Sequence, residues 1–111
     1  MAKNAHRNRI REKDVEDYLI KNIRKIGGMC EKWRAVDKRG VPDRIVILPW
    51  MGTFFVEVKS SDGTTTRLQE YTFVKIRNAG GAVYVVYGHE GVDKLMDEIL
   101  TIKKKVDAET V

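Results

Sequence analysis

The pattern of hydrophobic and polar positions divides the chain into seven elements. Apolar residues recur at helical spacing in three segments, and four shorter runs are rich in β-branched and aromatic residues, which favour strands. The predicted helices cover residues 11–26, 67–78 and 91–105, and the predicted strands cover residues 29–36, 44–48, 54–60 and 82–87. The order α-β-β-β-α-β-α predicts an α/β fold in which helices flank a mixed central sheet.

The two central strands form a predicted β-hairpin. The segment 49–52 between them reverses the chain, and we predict that its last three residues are the loop, with Gly52 in the left-handed conformation that such loops favour. This register places Asp43 opposite Lys59 and diagonal to Glu57, roughly 7–8 Å away at the backbone. A two-residue loop would instead put Asp43 on the opposite face of the sheet.

Two charged residues interrupt the second strand of this hairpin, which is otherwise largely apolar. Glu57 and Lys59 lie two residues apart, so both side chains point to one face of the sheet. Burial of unpaired charges costs at least several kcal/mol, so this face either opens to solvent or holds a compensating group. The simpler interpretation is that both residues face outward and pair with Arg44 or Lys38.

Convergence of Asp43 and Glu57 would create a site of hard oxygen ligands. Such a site suits Mg²⁺ or Mn²⁺, with water and substrate phosphate as the remaining ligands. The bound ion would polarise the phosphate and lower the pKa of a water molecule. Lys59 would position that water or stabilise the developing negative charge. Acid, acid and lysine together therefore predict a phosphodiesterase.

Length and cysteine content limit the classes of protein to consider. The 111 residues suit one domain over 1–111, with a basic N-terminal arm at 1–11 and a frayed C-terminal tail at 106–111. The single Cys30 excludes a disulfide within these residues and argues against structural zinc. No signal peptide is recognisable, and no apolar run approaches the ~20 residues of a membrane span. We therefore expect a cytoplasmic protein, in the host cytoplasm if a phage encodes it.

The charge of the chain predicts a polyanionic partner. The net charge is +5 and the sequence pI about 9.4, with the basic excess concentrated near both ends. Nucleic acid is the expected partner. The alternative is that terminal lysines only keep the protein soluble.

Two motifs resemble those of a known nuclease family. The segment Gly40-Val41-Pro42-Asp43-Arg44, followed after a strand by Glu57-Val58-Lys59, resembles the PD-(D/E)XK superfamily and, more narrowly, the VRR-NUC domain. The resemblance covers about residues 12–87. It implies that Asp43 and Glu57 bind the metal, that the Val58 carbonyl adds a ligand, and that Lys59 is the catalytic lysine.

The resemblance implies two further site residues. Glu16 matches an acidic residue on the first helix, as a catalytic group and a further metal ligand, and Gln69 matches a polar residue on the helix that follows the core strands. Each has an alternative interpretation. Glu16 would be a surface acid that complements the helix dipole, and Gln69 would be a solvated helix residue.

The resemblance also implies a substrate. Stand-alone members of the family resemble Holliday-junction resolvases and act as homodimers, so we expect a structure-specific DNA endonuclease that cleaves four-way junctions. The basic candidates for DNA contact are Arg7, Arg9, Lys38, Arg39, Arg44 and Arg67. The alternatives are a non-catalytic DNA-binding module on the same fold, or a nuclease of flap, duplex or RNA specificity.

Overall fold

The chain folds as helices packed on a mixed sheet. The computed structural model describes residues 2–110, with side chains from residue 12 onward. In this part of the chain the elements are α1 (Ala2–Lys25), β1 (Met29–Lys32), β2 (Arg44–Leu48), β3 (Gly52–Lys59), α2 (Arg67–Asn78), β4 (Val83–Tyr87) and α3 (Gly88–Glu109). The sheet order is β1-β2-β3-β4, with antiparallel pairs up to β3 and a parallel β3–β4 pair. The predicted fold class and element order are confirmed.

Several element boundaries differ from the prediction. Helix α1 begins at Ala2 rather than at residue 11, so the acidic residues near residue 12 lie inside the helix and not at its positive end. Helix α3 continues through 106–109, where we expected a frayed tail, and an ion pair of 2.6 Å between Lys103 and Asp107 joins successive turns there. Strand β1 ends at Lys32 rather than at residue 36.

The hairpin has a three-residue loop, but one residue earlier than predicted. Leu48 pairs with Gly52, so the loop is 49–51. Gly52 has the expected left-handed φ of 74°, yet it is the first paired residue of β3 and not the last loop residue. The predicted pairing of Asp43 with Lys59 is therefore wrong. Extension of the observed register by one residue places Asp43 directly opposite Glu57, on the same sheet face.

One face of the sheet forms the apolar core. Side chains of β2, β3 and β4 on this face pack against α1 and α3, where alternate strand positions meet helix positions at three- and four-residue spacing. The buried members include Leu19, Ile23, Val46, Phe54, Val56, Val58, Val86, Val92, Leu95 and Ile99. Helix α2 covers the other face, which leaves the side chains at alternate β3 positions beneath it.

The loop between β1 and β2 is held against α2. The hydroxyl of Thr72 donates to the carbonyl of Arg39 at 3.2 Å. Gly40 has a φ of 78°, and a Cβ there would approach the Leu68 carbonyl oxygen to 2.8 Å. Only glycine fits this left-handed, close-packed position. The contact delivers the following Asp43 to the end of β3.

Among residues 2–110, we find no helix with both the length and the apolar character needed to span a membrane.

Candidate active site

Glu57 and Lys59 are buried together on the α2 side of β3. Their exposed fractions are 2% and 7%, which rules out the interpretation that they face outward. The Lys59 ammonium nitrogen Nζ lies 3.1 Å from Glu57 Oε2. The strand alternation thus places both charges as predicted, but with α2 above them instead of solvent.

Gln69 joins the two charged side chains. Its Oε1 accepts a hydrogen bond from Lys59 Nζ at 2.9 Å, and its Nε2 donates to Glu57 Oε2 at 3.1 Å. Gln69 lies on the first turn of α2, so the start of this helix is fixed to the end of β3. Gln69 is half-buried, and both ends of its amide are bonded to the charged pair rather than only to solvent.

Asp43 is attached to the same strand by its side chain. Its Oδ2 accepts a hydrogen bond from the backbone N–H of Val58 at 2.9 Å. Because Val58 lies between Glu57 and Lys59 in sequence, this bond holds the Asp43 carboxylate at the charged end of β3. The structure brings Asp43, Glu57, Lys59 and Gln69 into one cluster.

The electrostatics of Glu57 are unusual for a carboxylate. Burial and, to a lesser extent, the nearby charge of Asp43 raise its pKa to about 7, although the hydrogen bond and positive charge of Lys59 act to lower it. In addition, Glu57 Oε1 is buried and has no hydrogen-bond partner among the described residues. A buried carboxylate oxygen without a partner is costly, so this atom requires an explanation.

A divalent cation fits these residues. Glu57 Oε1, which has no partner among residues 12–110, and the neighbouring carboxylate of Asp43 offer two hard oxygen donors of the type that Mg²⁺ and Mn²⁺ prefer. No three His, Cys, Asp or Glu side chains converge on a possible metal position anywhere in the described part of the chain. An ion here would therefore need the two carboxylates, a backbone carbonyl such as that of Val58, and oxygens from water or substrate.

Glu16 forms ion pairs with two cationic side chains. Its Oε2 accepts a hydrogen bond from Arg44 Nε at 2.9 Å and lies 3.6 Å from Lys32 Nζ. Arg44 also donates to the Cys30 carbonyl at 3.5 Å. Glu16 and Arg44 thus form an internal ion pair between α1 and β2. This pair limits the freedom of Arg44 to contact DNA and that of Glu16 to serve as a ligand.

Glu12, one turn before Glu16 on α1, interacts electrostatically with Lys59 and Asp43 of the cluster. Burial raises its pKa, the positive charge of Lys59 opposes this, and the charges of Asp43 and Glu16 add to the increase. Neither the motifs nor the family resemblance indicated Glu12 as a site residue. Its four-residue spacing from Glu16, which places both on one helix face, was the available signal.

A cleft connects this cluster to the surface between α1 and β2. Its volume is about 440 Å³. It is lined by Glu12, Lys13, Glu16, Asp17, Lys32, Asp43, Arg44 and Val58. Asp43 therefore borders the cleft, whereas Glu57 does not line it.

Three of the remaining basic candidates are exposed on segments adjoining the site. Lys38, Arg39 and Arg67 are exposed, on the loop that leads to Asp43 and at the first residue of α2. The side chains of Arg7 and Arg9 lie outside the described residues. The exposed three are free to contact a polyanion.

Comparisons with known proteins agree with this fold. No family model matches the sequence. The chain is 38% identical over 77 residues to the protein named "Putative nuclease p44" of Acyrthosiphon pisum secondary endosymbiont phage 1, covering 69% of this chain and 83% of that protein. A solved structure described as a VRR_NUC domain superposes with a TM-score of 0.70 at 30% identity, over 78% of this chain and 95% of the other. On this evidence of sequence and fold, the chain belongs to the VRR-NUC nuclease family.

Proposed function

We propose that this nuclease is a Mg²⁺- or Mn²⁺-dependent endonuclease that hydrolyses DNA phosphodiester bonds at four-way junctions, as a homodimer. The observation that carries the metal dependence is the buried Glu57 Oε1, which has no partner among the described residues and lies beside a second carboxylate. A cation there would satisfy this oxygen and favour the ionised form of Glu57.

Each residue of the cluster has a distinct role in this proposal. Asp43 and Glu57 would hold the ion, with the Val58 carbonyl as a further ligand. A bound divalent ion lowers the pKa of a coordinated water and polarises a phosphoryl oxygen. Asp43 already has one oxygen fixed by the Val58 N–H at 2.9 Å, so little ordering of its side chain is needed on binding.

Lys59 is the cationic side chain that the protein itself contributes to the site. Glu57 and Gln69 hold its ammonium group in a buried position, at 3.1 and 2.9 Å. A preorganised ammonium in a site of low dielectric stabilises negative charge that develops on phosphate, or positions the attacking water. Gln69 would keep this group in place.

In this proposal Glu12, and not Glu16, is the acidic site residue on the first helix. The Glu12 carboxylate lines the cleft near Asp43, whereas the Glu16 carboxylate is paired with Arg44 and Lys32. We propose that Glu12 orders water or an ion at the mouth of the cleft, and that Glu16 fixes α1 against β2.

The exposed cations near the site support a nucleic-acid substrate. Lys38, Arg39 and Arg67 would contact phosphates and not base edges, because the small domain presents few other elements for reading sequence. Such contacts position a duplex without specifying its sequence. Recognition would then depend on DNA shape, as junction cleavage requires.

The surface at β4 and α2 is suited to bind a second copy of the chain. Strand β4 forms one edge of the sheet, and the adjoining helix α2 exposes Leu68, Tyr71 and Val74 at three-residue spacing. Natural proteins rarely leave an edge strand beside exposed apolar residues uncovered. Twofold pairing through this surface would give the two active sites that symmetric junction cleavage needs.

The test is cleavage of a labelled four-way junction and a matched linear duplex with Mg²⁺, Mn²⁺ or EDTA. We expect paired symmetric cuts in the junction that need metal and disappear in Lys59→Ala. Cleavage of duplex, flap or RNA substrates instead would contradict the junction preference but keep the nuclease. Junction binding without cleavage under all metal conditions would contradict catalysis and favour a DNA-binding module.

A further inference from the structure

The first turn of α2 has a capping arrangement that also reaches the active site. We propose that Thr66, a residue outside the cluster, is a positioning residue that acts through Gln69 to aim Glu57 Oε1 at its ligand. This inference rests on the proposed function for the identity of that ligand, a divalent cation.

The arrangement is a reciprocal pair of hydrogen bonds at the helix start. Thr66 Oγ1 accepts from the backbone N–H of Gln69 at 3.1 Å, and the Thr66 backbone N–H donates to Gln69 Oε1 at 2.9 Å. This capping box satisfies two N–H groups that a helix start otherwise leaves without partners. In most proteins its effect ends with the stability of the helix.

Here the side chain that closes the box is also the one that touches Lys59 and Glu57. Gln69 Oε1 accepts from both the Thr66 N–H and the Lys59 ammonium. Both of these groups are donors only, so the amide oxygen must face them and the amide nitrogen must face the other way. The cap therefore selects one of the two amide orientations of Gln69.

That orientation determines which Glu57 oxygen remains available. Gln69 Nε2 donates to Glu57 Oε2 at 3.1 Å, and Lys59 Nζ lies 3.1 Å from the same oxygen. Oε2 thus has two donors, whereas Oε1 has none among the described residues. A loosened Gln69 would let the carboxylate rotate and share its oxygens differently, so Oε1 would no longer be held open.

A suitable choice of variant separates the positioning of Gln69 from the stability of α2. Glycine is a tolerated cap residue whose cost in stability is only a few tenths of a kcal/mol relative to threonine. Thr66→Gly keeps the backbone N–H but removes Oγ1, whose bond to the Gln69 N–H holds the Thr66 backbone in place against Gln69 Oε1. Thr66→Ser restores the hydroxyl. Thr64→Gly places the same substitution at an exposed position of the same loop and serves as the matched control.

The measurements are Mn²⁺ affinity by calorimetry and the side-chain amide signals of Gln69 by NMR in the metal-free protein. Loss of a residue that orients a metal ligand typically costs about 10–100-fold in metal affinity. We therefore expect Thr66→Gly to weaken Mn²⁺ binding by about tenfold and to shift the Gln69 amide signals, with a melting temperature close to that of Thr64→Gly. Thr66→Ser should restore both.

Two results would overturn the inference. One is a Thr66→Gly protein with wild-type Mn²⁺ affinity and unchanged Gln69 amide signals. The other is equal weakening in Thr64→Gly, which would indicate a general effect of loop flexibility. Absence of Mn²⁺ binding in the wild type would instead contradict the proposed function, and the metal-free amide signals would still decide whether Thr66 positions Gln69.

Discussion

The two faces of β3 are buried to a similar degree but are held in different ways. On one face Phe54, Val56 and Val58 pack into the apolar core formed with α1 and α3. On the other, Glu57 and Lys59 lie beneath α2, with exposed fractions of 2% and 7%. The apolar face is stabilised by burial of hydrocarbon, whereas the polar face depends on a small set of directed hydrogen bonds.

This difference shows which face is shaped for a ligand. The apolar side chains satisfy one another, because hydrophobic contact has no fixed direction or valence. The polar face remains incomplete, since Glu57 Oε1 has no partner in the described part of the chain and the pKa of Glu57 is raised to about 7. We infer that the polar face gives up stability in the free protein and regains it when a cation binds.

Substitution on the polar face should have the largest effect on activity. We expect Glu57→Gln to lower the junction cleavage rate by about 10³-fold or more, since it removes an anionic ligand while keeping the shape of the side chain. The measurement is single-turnover cleavage in Mn²⁺, with circular dichroism to show retained fold. A rate within tenfold of wild type would contradict the assignment of Glu57.

Substitution on the apolar face should affect stability and not chemistry. Phe54→Ala leaves a cavity in the core, and we expect it to lower the free energy of unfolding by about 3–5 kcal/mol. Urea denaturation measures this loss. Cleavage per folded molecule should stay near the wild-type rate at low temperature. A specific loss of activity in fully folded Phe54→Ala protein would show that the two faces are not independent.

The pH dependence of the free energy of unfolding should report the raised pKa of Glu57 on the polar face. The pKa of Glu57 is raised from its ordinary 4.5 to about 7, so the folded state binds its proton more tightly than the unfolded state. The stability from this group is complete below pH 4.5 and is lost as the pH rises through 7. We expect unfolding in EDTA to cost on the order of 2–3 kcal/mol less at pH 8 than at pH 5 from this group.

Two controls connect that pH dependence to the cluster. Asp43→Asn removes the neighbouring charge that helps to raise the pKa of Glu57, so the stability should depend less steeply on pH. Mn²⁺ at about one hundred times its Kd should add roughly 2.7 kcal/mol at pH 8. Stability that is flat between pH 5 and 8 in EDTA would contradict the raised pKa.

Neutralisation of Glu12 and of Glu16, both on α1, should have different effects. We expect Glu12→Gln to slow cleavage by about tenfold, because its carboxylate lines the cleft beside Asp43. Glu16→Gln should mainly lower stability, by about 1 kcal/mol or less, since it weakens a partly exposed pair with Arg44. Cleavage rates and melting temperatures of the two variants decide this. The reverse pattern would return the catalytic role to Glu16.

The smallest effect is expected at the surface cations. Lys38→Ala should weaken junction binding uniformly and reduce the slope of log K against log salt by about 1, as for one phosphate contact. Binding measured between 50 and 200 mM salt tests this. An unchanged slope would place Lys38 outside the DNA interface.

Much of the fold and of the central cluster could be predicted from the order of residues. Alternation along β3 places Glu57 and Lys59 on one face, and the three-residue hairpin loop keeps Asp43 on that face. The register itself could not be predicted, because a left-handed glycine suits either the last loop residue or the first paired one. Gly52 is the latter, which shifted the partner of Asp43.

The finer features of the site depend on side-chain contacts across elements. Glu12 and Glu16 share a helix face, and only the positions of Arg44 and Lys32 show which carboxylate is neutralised. Within the described residues, Glu57 Oε1 has no partner because α2 places Gln69 against Oε2, and no local sequence pattern encodes that contact. Strand alternation and the motifs therefore identify the cluster, and packing between elements determines which groups each member contacts.

The position of Mn²⁺ in a crystal of the protein, located by its anomalous scattering, tests most directly whether Glu57 and Asp43 bind a metal ion. We predict an ion bound by Glu57 Oε1 and Asp43 in the wild type, and no ion there in Glu57→Gln. A well-ordered wild-type site that stays without metal at millimolar Mn²⁺, or an ion that avoids Glu57 Oε1, would contradict it.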